Sequence, residues 1–83
     1  MVIKNLNDFN ETILFTEEEK YNILELADFA KAQYILMVYD KTKKCDYLVY
    51  IDRRIDYMDI VCEYEHKENQ KVIDIFNVGD VIL

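Results

Sequence analysis

From Glu17 to Ala32 the apolar positions recur every three or four residues. At about 100° per residue, Ile23, Leu24, Leu26, Ala27 and Ala30 fall on one broad arc, and Glu17, Glu18, Tyr21, Glu25 and Asp28 fall on the opposite face. Thr16-Glu17-Glu18-Glu19 ahead of this stretch is a capping box. In such a box the Thr16 hydroxyl accepts from the amide of Glu19, and the Glu19 carboxylate reaches back to the amide of Thr16. Acids in a first turn also suit the helix dipole. The pattern predicts a helix over 16–32 that packs on something and shows an acidic stripe to solvent.

Beyond the helix the rhythm shortens. Gln33 to Asp40 is apolar on both faces, with Tyr34, Leu36 and Val38 pointing one way and Ile35, Met37 and Tyr39 the other. A strand without alternation reads as central and covered on both sides. Lys41-Thr42-Lys43-Lys44-Cys45 is a short basic loop of the kind that joins a hairpin. Asp46 to Asp52 returns as a second strand with Tyr47, Val49 and Ile51 on one face, and Arg53-Arg54 marks a bend. From Ile55 the residues alternate. Met58, Ile60, Cys62 and Tyr64 are expected to face inward, and Asp59, Val61, Glu63 and Glu65 outward, on a half-exposed strand. A polar turn at 66–70 leads to a last clear strand, Lys71 to Asn77. Val81-Ile82-Leu83, after a turn at 78–80, packs back or adds a short edge strand.

The first fifteen residues are ambiguous. Ile3, Leu6 and Phe9 sit at helical spacing, but Asn5, Asn7 and Asn10 are poor helix formers. A single turn or an irregular arm is expected there, with Glu11 to Phe15 a short strand or a lead-in. The assembled expectation is an α+β fold in one domain, residues 1–83. Its parts are an arm (1–15), one amphipathic helix (16–32) and a β-meander (33–83). The helix packs on a three- to four-stranded antiparallel sheet, since parallel crossovers need about a dozen residues or more.

Composition narrows the function. Apolar residues make up 52% of the chain, too many for a disordered tail. Seventeen acids against ten bases give a net charge of −7, which argues against binding a phosphate backbone directly. The sequence has no Ser, and one Gly leaves no room for a glycine-rich phosphate loop. The apolar run Ile35–Tyr39 is far too short to span a bilayer, and Met1 to Asp8 lacks the features of a secretory signal. Two Cys without an export signal read as reduced thiols in a cytoplasmic protein. Codons rich in A and T encode many of the common residues here, which suits a microbial or phage gene.

Candidate chemistry is sparse. Cys45, Cys62 and His66 are the only soft groups, and neither their number nor their spacing makes a zinc site. On a strand, Cys62 and His66 would lie about 13 Å apart, and Cys62 reads as a small buried residue. No cofactor, metal or catalytic residue is expected, and the chain is not read as an enzyme. The acids are more suggestive. Glu17, Glu18, Glu25 and Asp28, with Tyr21, form one patch on the helix; Asp59, Glu63 and Glu65 form a row on a strand. Alternate strand carboxylates stand about 6.8 Å apart, so such a rigid row resembles a nucleic-acid backbone and is the leading binding face. Solvation alone also explains a charged face. Seven Tyr fit either an interface or simple strand propensity. The expected function is a small acidic inhibitor that occupies a basic surface of a nucleic-acid-handling protein, in a host or as a cognate toxin. Phage anti-defence proteins, anti-CRISPR proteins among them, and nuclease immunity proteins or antitoxins are of this kind. The alternative is a structural or regulatory module that self-associates through a sheet edge.

Overall fold

The computed structural model describes residues 3–5 and 16–78. Within them lie β1 (Ile3–Asn5), α1 (Glu17–Phe29), β2 (Ala32–Asp40), β3 (Cys45–Asp52), α2 (Tyr57–Glu65) and β4 (Gln70–Asn77). The fold is α+β. The expected turns or strands at 6–15 and 79–83 lie outside the described residues.

Thr16 caps α1: its Oγ1 accepts from the amide of Glu19 at 3.1 Å. The Glu19 carboxylate accepts from the Thr16 hydroxyl at 3.0 Å, a variant of the expected return bond to the Thr16 amide. The helix stops three residues short of the expected Ala32 because Lys31 takes a left-handed conformation, φ 53°. From there the Lys31 amide donates to the Asp28 carbonyl at 3.1 Å, which closes the helix end.

The meander is corrected in two ways. First, the stretch read as a half-exposed strand is helix α2. Asp56 caps it, accepting from the amide of Met58 at 3.0 Å. Tyr57, Ile60, Val61 and Tyr64, spaced i, i+3, i+4 and i+7, turn toward the sheet, and Val61 is buried. The inward residues are therefore not Met58 and Cys62, both of which are exposed. Second, the strand order is β1-β4-β2-β3, so β4 pairs antiparallel with β2 on the side opposite β3. β3 and β4 thus run parallel with β2 between them, and α2 supplies the crossover that a parallel pair requires. The short β1, in the region expected to be a turn or arm, pairs parallel with β4, Ile3 opposite Ile75.

β2 is the central strand anticipated from its two apolar faces. Ile35 packs with Ile23, Ala27, Phe76 and Val78 beneath α1. Its neighbour Leu36 packs with Val38, Ile51, Val61, Val72 and Ile75 beneath α2. Successive strand residues face opposite ways, so the helices lie on opposite faces of the sheet. In β4 a register shift leaves Ile73 without a partner on β2, and this lets Val72 and Ile75 share a face.

Candidate functional site

The sheet separates the two acidic groups. Glu17, Glu18, Tyr21, Glu25 and Asp28 are all exposed on α1, and Asp59, Glu63 and Glu65 are exposed on α2 across the sheet. The expected row of strand carboxylates does not exist. Asp59 and Glu63 are one helical turn apart, and Glu65 points about 120° away from Asp59 around the helix. Glu65 instead borders a groove of about 240 Å³ between α2 and the β1 edge, with Ile3, Met58, Cys62 and Ile75 among its lining. The preorganised ladder that suggested a nucleic-acid backbone is lost with the strand.

The α1 patch survives and gains members. Ile23 and Ala27 define the inner direction of the helix. Directly opposite them stand Glu18 and Glu25, with Tyr21 about 40° to one side and Phe29 about 40° to the other. Lys20, the one base in the α1 sequence, lies on the inner side. Phe29 is 89% exposed, Tyr21 58% and Leu26 54%. Leu26 therefore leaves the apolar arc assigned to it, and Phe29 was not among the candidate residues. The signal for Phe29 was present: it is an aromatic residue on the acidic side of the wheel, where solvation asks for none.

The helix dipole sharpens the picture. Glu17, Glu18 and Glu19 sit in the first turn, where negative charge is favoured, but the last turn holds no base. Asp28, second from the end of α1, instead puts an acid beside the negative end, which costs about 0.3–1 kcal/mol. Local rules are broken most often at functional or strained positions, and Asp28 is such a break.

Most tyrosines belong to the core margins. Tyr34 and Tyr57 face each other with ring centroids 4.2 Å apart, and the Tyr47 hydroxyl donates to Gln70 Oε1 at 2.7 Å. Burial, with Tyr64 alongside, raises the pKa of Tyr47 above the usual tyrosine value. Tyr21 is the exposed exception. Cys45 and Cys62 are both free and exposed, so Cys62 is not the buried residue expected. The α2 helix brings Cys62 and His66 within one turn, with the His66 amide donating to the Cys62 carbonyl at 3.1 Å. Among the described residues no group of three or more His, Cys, Asp or Glu could hold a metal ion, and no helix is long and apolar enough to cross a membrane.

No protein-family model matches the chain, and no curated protein or solved structure is similar enough to match it.

Proposed function

We propose that this chain is a small acidic inhibitor that binds a basic surface of a nucleic-acid-handling protein, of the anti-defence or nuclease-immunity kind. One observation carries the reading: the outer face of α1 presents Glu17, Glu18, Glu25 and Asp28 with no base among them, Asp28 against the helix dipole. Opposite charge steers such a face to its partner and raises the on-rate. The α2 acids lie on the far side of the sheet and cannot engage the same surface, so α1 replaces the row at 59–65 as the leading face.

The test begins with capture of the target from a host lysate and its identification by mass spectrometry. Association rates are then compared for wild type and for Glu17→Gln/Glu18→Gln/Glu25→Gln/Asp28→Asn. The expected result is an on-rate at least about tenfold lower at low salt, with a flattened salt dependence, because exposed charges are screened within about 10 Å at 0.1 M salt. Asp59→Asn/Glu63→Gln/Glu65→Gln serves as the control face. Binding by the α1 variant that is as tight as wild type and insensitive to salt overturns the reading.

A second reading rests on the sheet. Among the described residues β3 ends the strand order, so Cys45–Asp52 offers an eight-residue edge to a second copy. Light scattering over a concentration series separates the two: a stable dimer favours edge pairing.

A further inference from the structure

We infer that the α1 face docks onto a protein surface with an apolar hollow at its centre and an Arg/Lys rim, and that Phe29 fills the hollow. This rests on the reading of α1 as a binding face, but it assigns the affinity to a different group. Phe29 is 89% exposed in the last turn of α1, with Leu26 one turn before it and 54% exposed. Neither the core beneath α1 nor the cap at Lys31 uses the Phe29 ring. Scattered single apolar residues on a surface are ordinary, but these two adjoin each other, about 60° apart around the helix, with the exposed Glu25 about 40° beyond Phe29 and the exposed Asp28 further round on the same outer side. Aromatic side chains at the centre of an interface, ringed by polar groups that exclude water, hold most of the binding energy.

Charge complementarity selects the occupant. A second copy packed on the same face would set Glu25 and Asp28 against their own like, and like charges across an interface cost several kcal/mol. A channel built only for phosphates offers cations but no hollow, and it would leave the Phe29 ring in water. A surface with both an apolar centre and a basic rim satisfies both parts of the face. In this division of labour the carboxylates set the rate of encounter, and Phe29 sets the lifetime of the complex.

The probes are two synthetic helical peptides of equal length and equal Arg content. One carries leucines at i, i+3, i+4 and i+7 between its arginines; the other has glutamine at those positions. Binding to the full chain is read by fluorescence anisotropy. The leucine peptide is expected to bind at least tenfold more tightly. Phe29→Ala should abolish that advantage and leave the glutamine peptide unaffected, while Glu17→Gln/Glu18→Gln/Glu25→Gln/Asp28→Asn weakens both. Circular dichroism checks that each variant keeps its helix, and exposure of Phe29 makes loss of fold on truncation unexpected. Equal binding of the two peptides, or a leucine advantage that survives Phe29→Ala, overturns the anchor while leaving the acidic reading standing. If the neutralised chain binds both peptides as wild type does, the acidic reading falls as well. A wild-type dimer that Phe29→Ala dissociates, seen by light scattering, assigns the face to a second copy and also overturns the inference.

Discussion

Asp40 and Asp52 are carboxylates on strands of the same hairpin, and their surroundings give them different work. Asp40 is 6% exposed, and its Oδ1 accepts from the amides of Thr42 at 2.9 Å and Lys43 at 3.1 Å. It therefore shapes the turn that returns β2 into β3. Asp40→Ala should cost about 1–2 kcal/mol in chemical denaturation, and Asp40→Asn less, because an amide oxygen still accepts. Asp52 instead holds Arg54, whose Nε and Nη2 donate to its two oxygens at 3.1 and 2.9 Å. Those side-chain bonds, then the Arg54 amide, lower the Asp52 pKa from 3.8 to about 2. A lowered pKa in the folded state means that the pair stabilises the fold fully above pH 3.8 and loses that contribution as pH falls toward 2. Titration of the Asp52 carboxyl by NMR should show a midpoint near 2, and Arg54→Ala should return it toward the ordinary carboxylate range.

The two helices differ in how openly the chain declares them. The first has a capping box, a thirteen-residue span and a clear inner stripe at Ile23 and Ala27. Thr16→Ala should remove about 1 kcal/mol through the lost cap. At the other end Lys31 holds a left-handed conformation that costs a side chain more than it costs glycine, so Lys31→Gly should gain about 0.5–1 kcal/mol. Unchanged denaturation midpoints in these variants would contradict the helix ends described. The second helix was illegible because its nine residues satisfy two periods at once. Met58-Asp59-Ile60 and Cys62-Glu63-Tyr64-Glu65 alternate as a strand does, while Tyr57, Ile60, Val61 and Tyr64 keep helical spacing. Asp56 as a cap was the deciding signal, and it lies among other acids that hide it. Taking this helix for a strand also removed the crossover, so β4 was set beside the 55–65 stretch instead of beside β2. Faces within β2 and β3 were legible, because each strand's alternation is local; strand order depends on a partner far along the chain. The site shows the same split. The α1 acids could be read from the wheel, but Leu26 was placed in the core because only the packed sheet reveals how narrow the buried stripe is.

At the scale of the molecule, a sheet with one helix on each face leaves each helix one buried and one open side, and the chain carries a net charge of −7. Such a charge repels itself and opposes the compact state, more strongly at low salt, where the screening length reaches about 30 Å at 0.01 M. On α1 the acids do not all stand in the same relation to the helix. Glu17 and Glu18 are supported by the positive end of the dipole, whereas Asp28 faces the negative end and Glu25 lies a turn away from it. If folding alone had shaped this face, the first pair would be kept and the second would gain nothing. Glu25→Gln/Asp28→Asn should therefore stabilise the protein, by about 0.5–1 kcal/mol, equivalent to a melting temperature raised by about 2–8 °C in a domain of this size. Glu17→Gln/Glu18→Gln should move stability the other way by a similar amount. The gain in the first variant should shrink as sodium chloride rises from 0.01 to 0.5 M, because salt relieves the same repulsion. Calorimetry on the two double variants at both salt concentrations makes the comparison. Melting temperatures that change equally in both would mean that position along the helix is irrelevant and that only total charge counts. The predicted asymmetry, joined to weaker binding by Glu25→Gln/Asp28→Asn, would show acids held where they harm the fold and serve the partner.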